Sequence, residues 1–225
     1  MRYLNSAFFA CAIVAMPATA QTTDTEHQGS HLSAAITAGT LGVGPELGLW
    51  LSDKFGVRAS ATFLGFGADF DSDDITYRGD LKLKSFGAMV DFYPFQGGFR
   101  ISGGARINKN RASVRATPTG TIEVGDTPYT ATQVGTLTGR ADVKDLAPAL
   151  TLGYGGSNRS GFMFGVEAGA LFQGKARLRQ LTSTGTLAAD PAFQASLERE
   201  RLSLQDDIDK VSVYPILQIM IGWRF

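Results

Sequence analysis

Long segments of alternating hydrophobicity constrain this chain more than any other feature. From Val211 to Phe225 every second side chain is apolar, and the positions between them are mixed. The same period of two recurs at 55–61, 86–92, 99–107 and 161–173. This is the period of a β-strand whose two faces meet different environments. The sequence therefore predicts an all-β protein.

The predicted strands are long for a soluble sheet. They run to about 12–18 residues, whereas strands of globular proteins usually have about five or six. Their mixed faces combine Gly with Arg and Glu, which suits a narrow lumen better than open water. A water-soluble sandwich would also alternate, but long alternating strands with aromatic ends are typical of membrane barrels. We therefore predict an antiparallel transmembrane β-barrel of eight strands, with one short helix in an extracellular loop.

Strand positions and loop lengths predict the orientation of the barrel in the membrane. Seven strands are predicted at 40–51, 55–70, 80–93, 99–114, 143–154, 161–178 and 211–225. A closed antiparallel barrel needs an even number, so we expect the eighth at 32–39, where a shift of the apolar face indicates a break or bulge. Short turns at 52–54, 94–98 and 155–160 are assigned to the periplasm. Long connections at 69–79, 117–142 and 176–210 are assigned to the cell exterior.

The N-terminus has the composition of a cleaved export signal. Arg2 supplies the positive charge, 7–15 the apolar segment and Ala18-Thr19-Ala20 the cleavage site. The predicted organisation is a signal peptide at 1–20, an N-terminal tail at 21–31 and an outer-membrane β-barrel domain at 32–225. The apolar run is too short for a transmembrane anchor, and it continues past Cys11, which disfavours a lipoprotein. Cys11 is the sole cysteine, so the mature chain has no disulfide framework.

Charge and hydropathy exclude two protein classes. Lys and Arg number 21 and Asp and Glu number 21, so no basic excess exists to bind nucleic acid. After the signal, no segment is both apolar and long enough for a transmembrane helix.

Two of the long connections have predicted structure of their own. Residues 121–124 and 127–130 flank Gly125-Asp126 and indicate a small hairpin. Asp190-Pro191 begins a helix, with Asp as N-cap and Pro at the first helical position. Its predicted apolar face consists of Phe193, Leu197, Leu204 and Ile208. We expect this helix to cover the barrel mouth as a lid; the alternative is that it docks on another protein or on lipopolysaccharide.

The sequence favours neither catalysis nor a bound cofactor or metal. His27 and His31 lie in the tail, away from the outer rim where a lipid-A enzyme or a protease would need them. With Glu26 they could chelate a metal, but a solvated tail is the better interpretation. The acidic cluster at Asp69, Asp71, Asp73, Asp74 and Asp80 could bind Ca²⁺. It lacks the Gly and the terminal Glu of a calcium loop, so we interpret it as a solvated loop.

Charged residues recur on the face predicted to line the lumen. They are Glu46, Arg58, Asp91, Arg100, Arg106, Glu167 and Arg224. In a wide barrel such residues would line a pore and set its selectivity. In an eight-stranded barrel side chains fill the interior, and unpaired burial of charge is costly. We therefore predict an ion-pair network across the lumen.

The chain resembles the OmpA/OmpX-type small outer-membrane barrels of Gram-negative bacteria. The resemblance rests on the export signal, the Gly-rich strands and the C-terminal residues Tyr214, Ile221, Trp223 and Phe225. It implies that these four residues form the insertion signal read by the outer-membrane assembly machinery. It also implies a monomer exported through the periplasm, with outer-membrane lipid and lipopolysaccharide as partners. The predicted function is a non-enzymatic structural or surface-interaction role; the alternative is a narrow channel or transporter for small or apolar solutes.

Overall fold

The chain forms a closed antiparallel β-barrel that carries a second, smaller layer at one end. The computed structural model describes residues 31–72, 74–156, 161–210 and 212–225. The predicted signal peptide and most of the tail, with His27, lie outside these residues. Within them no helix has the length and hydropathy that crossing a bilayer requires.

Eight of the described strands close the barrel. They are β1 (Leu32–Gly39), β2 (Gly42–Trp50), β3 (Phe55–Ser72), β4 (Ile75–Phe92), β5 (Phe99–Asn108), β10 (Leu146–Gly155), β11 (Gly161–Leu171) and β13 (Tyr214–Arg224). Each pairs antiparallel with its neighbours, and β1 closes the ring against β13. The predicted fold class is confirmed, and the eighth strand is the one expected at 32–39. The shift of its apolar face is a tight turn, because Thr40 and Leu41 join β1 directly to β2.

The two ends of the barrel differ. The short connections 51–54 and 93–98, with the end of β10 and the start of β11, lie at the end that also holds His31 and Phe225, which we call the turn end. The opposite end, called the loop end, carries the tips of two hairpins and the long connections after β5 and β11. The loop end contains β6 (Arg111–Pro118), β7 (Ile122–Val124), β8 (Thr127–Tyr129), β9 (Leu137–Asp142) and β12 (Arg177–Leu178). It also contains the helices α1 (Ala131–Val134) and α2 (Pro191–Ile208).

Several predicted boundaries at the loop end are wrong. The expected loop at 69–79 is the tip of a long hairpin, because β3 continues to Ser72 and β4 starts at Ile75. The segment expected as one strand at 161–178 ends at Leu171, and β12 pairs with β9. Strands β6 and β9 continue the sheet beyond the barrel on β4. The one-turn helix α1 was not predicted.

The outer wall of the barrel is an apolar belt with aromatic residues at both edges. Phe55 and Phe92 meet at 5.2 Å near the turn end, and Phe63 and Phe86 at 5.7 Å nearer the loop end. Between them the outward side chains are apolar and exposed to the surroundings of the barrel. Phe55 and Phe63 are separated by about 26 Å along the strand, which for a tilt of about 40° is about 20 Å along the barrel axis, most of the roughly 25 Å apolar band of outer-membrane barrels.

The loop-end layer has a hydrophobic core of its own. Its buried members are Val124, Val134, Leu181, Phe193 and Leu197. The predicted hairpin is present as β7 and β8, and the predicted helix begins with Asp190 accepting a hydrogen bond from Phe193 N at 2.9 Å. Tyr129 packs edge-on against Phe193 at 4.8 Å, which attaches the helix to the hairpin.

Candidate functional site: the barrel lumen

Ion pairs occupy the middle of the lumen. Arg58, on β3, is the hub: its guanidinium contacts Glu46 at 3.0 Å, Asp91 at 2.6 Å and Glu167 at 2.8 Å. Glu167 also accepts from Arg100 Nη2 at 2.7 Å. These five side chains come from β2, β3, β4, β5 and β11, so the network ties opposite walls of the barrel together.

The alternation of each strand explains this convergence. Side chains of one parity point inward on each strand, and antiparallel partners share a face. Asp91 and Arg100 are 1% and 2% exposed, whereas the next residues, Phe92 and Ile101, face outward. All charged residues of the network therefore lie away from lipid, where pairing offsets the cost of their burial.

Inward glycines make room for the long arginines. A Cβ atom at Gly153 would lie 2.7 Å from Arg100 Nε, and one at Gly87 would lie 2.5 Å from Arg106 Nη1. Each arginine side chain thus packs against the glycine that faces it on the neighbouring strand. This is the packing reason for the Gly-rich polar face of the sequence.

Two of the seven predicted lumen residues lie outside the ion-pair network. Arg106 is buried and donates to Ser85 Oγ at 2.8 Å and to Ser60 Oγ at 3.0 Å. Arg224 lies near the turn end with its guanidinium 4.1 Å from the centre of the Trp50 ring, a cation–π contact. Alternation placed both arginines on the inward face but could not show that hydroxyl groups and an aromatic ring contact them.

Apolar side chains close the lumen between the ion pairs and the loop end. The buried members of this plug are Leu41, Met89, Ala147, Ala149, Leu171 and Ile216. Leu171 follows Glu167 by four residues on β11, which places the plug on the loop side of the charges. The cavity beside Arg58, Arg100 and Arg106 has a volume of about 20 Å³, enough for about one water molecule.

The predicted face of α2 is only partly buried. Phe193 and Leu197 are 0% and 2% exposed, but Leu204 is 39% exposed. Ile208, the fourth predicted member, is partly buried. The C-terminal half of the helix is held by polar contacts instead, since Gln205 accepts from Leu178 N and donates to Ala176 O, both at 2.8 Å.

Charged side chains also fasten the end of α2. Lys175 donates to Asp209 at 2.8 Å and Gln205 donates to the same carboxylate. These hydrogen bonds hold the pKa of the Asp209 carboxyl below its ordinary value. The helix is therefore anchored to the loop-end layer at both of its ends. Its action as a lid remains a prediction, because the packing described for it is on β7 and β12.

The remaining predicted residues are distributed around the barrel. Ile221 and Trp223 point outward in the apolar belt, and Phe225 N donates to Leu32 O at 3.0 Å. Tyr214 donates to Thr40 O at 2.7 Å. In the acidic cluster Asp69 forms a bidentate ion pair with Arg78. Asp73 lies outside the described residues. No group of three His, Cys, Asp or Glu side chains converges as metal ligands in the described part of the chain.

Comparison with known proteins identifies the architecture. No family model matches the sequence, and no curated protein matches it. The fold resembles the crystal structures of Acinetobacter baumannii CarO, with a TM-score of 0.59, and CarO2, with a TM-score of 0.60. Both are 16% identical to this chain; the matches cover 89% and 88% of it and all of each of those chains. At this identity the likeness shows the fold, a closed barrel of the outer-membrane kind.

Proposed function

We propose that this protein is a non-enzymatic outer-membrane barrel that does not conduct, and that anchors a folded layer on the cell surface. The observation that carries the proposal is the filled lumen. Four ion pairs occupy it and one of them, Arg58–Glu167, joins opposite walls; an apolar plug closes it toward the loop end, and the cavity between them is about 20 Å³. A barrel filled in this way can support an external structure without passing solutes.

The membrane location rests on the outer wall. The belt exposes large apolar side chains on every barrel strand, which a protein in water would bury. Its aromatic edges suit the two interfaces of a bilayer. Long connections of bacterial barrels lie outside the cell, so we assign the loop end to the exterior and the turn end to the periplasm. The OmpA/OmpX-type resemblance of the C-terminal strand supports the same placement, with Phe225 in the insertion signal.

Single cysteines test this topology, because Cys11 lies in the predicted signal and the mature chain would have no thiol. Glu123 is exposed at the loop end and Asp53 is exposed at the turn end. A membrane-impermeant maleimide added to intact cells should label Glu123→Cys, and should label Asp53→Cys only after lysis. The unsubstituted protein is the control. Labelling of Asp53→Cys in intact cells would overturn the proposed orientation. So would the absence of labelling of both variants in intact cells.

The alternative function is a narrow channel. The sequence suggested it because charged residues face the lumen, but each carboxylate of the network is bound to an arginine. The cavity beside the ion pairs has a volume of only about 20 Å³, and a larger cavity lined by Trp50, Tyr93 and Arg224 lies at the turn end, so we favour the closed barrel.

A further inference from the structure

The lipid-facing surface changes abruptly from apolar to cationic at one sector of the loop-end rim. On β4 the outward residues Val90 and Phe86 belong to the apolar belt, and the next outward residues are Lys84 and Lys82. On the neighbouring strand Ile107 is the last outward apolar residue of β5. It is followed on the same face by Lys109 and Arg111. We call Lys82, Lys84, Lys109 and Arg111 the cation ladder.

Strand register places these cations opposite one another. Lys82 pairs with Arg111. The same register continues from Ser85 and Asn108, and Lys109 N donates to Lys84 O at 2.8 Å, so Lys84 and Lys109 are also opposite. Facing positions in an antiparallel sheet are about 5 Å apart at Cα. Like charges at facing positions destabilise a sheet, yet two such pairs occur in succession here.

One carboxylate lies beside the cation ladder on the same face, since Asp80 is the next outward residue of β4 after Lys82. Among the described residues none of the three lysines forms an ion pair. Arg111 has Asp142 at 4.0 Å, but that carboxylate also binds Arg179. The four side chains are exposed. The ladder therefore leaves several cationic groups available to an external anion.

We propose that the cation ladder binds the phosphate groups of lipid A in the outer leaflet. The proposal rests on the outer-membrane location proposed above and specifies the lipid partner. The ladder starts one outward position beyond Phe86 and Ile107, about 7 Å along the strands, which is the depth of the headgroups at the edge of an apolar belt. Ammonium and guanidinium groups bind phosphate by charge-assisted hydrogen bonds. Because the ladder continues the lipid-contacting wall, an anionic lipid reaches it without leaving the bilayer.

Binding of purified lipid A to the full-length protein in a neutral detergent tests this site. The variant is Lys84→Gln/Lys109→Gln, which removes the row nearest the belt. The matched control is Arg115→Gln/Arg140→Gln, which removes two exposed charges from the same face of the sheet, farther from the belt. Each lost cation near an anionic membrane surface weakens association by roughly fivefold, so we expect about 30-fold weaker binding for the ladder variant. The control should bind within about twofold of the unsubstituted protein.

A second measurement separates loss of binding from loss of folding. In detergent without lipid, Lys84→Gln/Lys109→Gln should melt at or above the temperature of the unsubstituted protein, because a like-charge pair has been removed. Adding bisphosphorylated lipid A should raise the melting temperature of the unsubstituted protein more than that of the variant. With dephosphorylated lipid A instead, the melting temperatures of the unsubstituted protein and the variant should rise by the same amount.

Three results would overturn the proposal. The first is that the ladder variant binds lipid A as tightly as the unsubstituted protein does. The second is that the control variant loses as much lipid A affinity as the ladder variant. The third is that the unsubstituted protein binds dephosphorylated lipid A or phosphatidylglycerol as tightly as lipid A. In each case the barrel would still be folded and correctly labelled at Glu123→Cys, so failure of the ladder is distinguishable from failure of the proposed function.

Discussion

Arg58 and Glu167 show how single residues determine the interior of this barrel. Arg58 binds three carboxylates from three strands, and Glu167 links it to Arg100. Parity along each strand predicted that these residues share the lumen. The pairing of Arg58 with Glu167 was not predictable from parity, because β3 and β11 are not neighbours and their contact depends on how the ring closes.

Removing Glu167 should cost more than removing an exposed acid. Glu167→Ala leaves buried Arg100 without its carboxylate partner in a filled lumen, so we expect the free energy of unfolding in detergent to fall by about 3–5 kcal/mol. Glu123→Ala, at an exposed position, should change it by less than about 0.5 kcal/mol. Denaturant titration followed by tryptophan fluorescence would measure both. An unchanged midpoint for Glu167→Ala would mean that water screens the network, and would favour the channel.

The inward glycines can be tested in the same way. Gly153→Ala places a methyl group against the Arg100 guanidinium, so overpacking should lower stability by about 1–3 kcal/mol. Gly103, on the adjacent strand, has no atom within 4 Å of its Cβ position and serves as the control. Gly103→Ala should be neutral or slightly stabilising, since Gly weakens a strand interior. Equal effects at the two positions would contradict the close packing of arginine on glycine.

At the scale of secondary structure, helix α2 is the element that the sequence predicted only in part. Asp190 and Pro191 identified its start, because capping is local. Periodicity also placed Leu204 on the buried face, but the hydrophobic core beneath the helix includes Phe193 and Leu197 and not Leu204. Apolar residues at helical spacing show which face of a helix can be buried. How much of that face is buried depends on the size of the surface on which the helix packs.

Limited proteolysis should separate the two halves of this face. Leu197→Asp puts a charge into the loop-end core, so trypsin should cleave at Arg199 or Arg201 at least tenfold faster than in the unsubstituted protein. Leu204→Asp lies at an exposed position and should be cleaved at the unsubstituted rate. Equal acceleration by both substitutions would contradict the packing of α2 described here.

The long β3–β4 hairpin shows why the outer boundaries were missed. Up to Phe63 the outward face of β3 is apolar, but beyond it that face carries Gly65, Gly67 and Asp69, while Leu64 and Phe66 lie on the inner face. Beyond Phe63 the side chains still alternate, but the apolar ones now lie on the inner face and the polar ones on the outer face. The sequence predicted the first strand to residue 70 and the second only from residue 80, whereas the pairing of β3 with β4 continues to Ser72 and Ile75.

For the whole molecule, the sequence predicted the architecture because lipid imposes a simple pattern over many residues. Apolar side chains must point outward on every strand within the belt, and that requirement identified seven strands; the eighth was expected because a closed antiparallel barrel needs an even number. The loop-end layer lies beyond the belt and is not subject to this requirement. Strand β6 pairs with β4, β9 with β6 and β12 with β9, and this order depends on long-range contacts that local patterns do not encode.

The central claim is that the lumen is closed, and conductance across a planar bilayer tests it most directly. Protein purified in detergent and shown to be folded by its heat-dependent electrophoretic shift would be inserted at neutral pH and recorded in molar potassium chloride. Because ion pairs and the apolar plug fill the lumen, we predict that the unsubstituted protein produces no unitary current steps above the lipid baseline. Reproducible steps of uniform size from the unsubstituted protein would contradict the closed barrel.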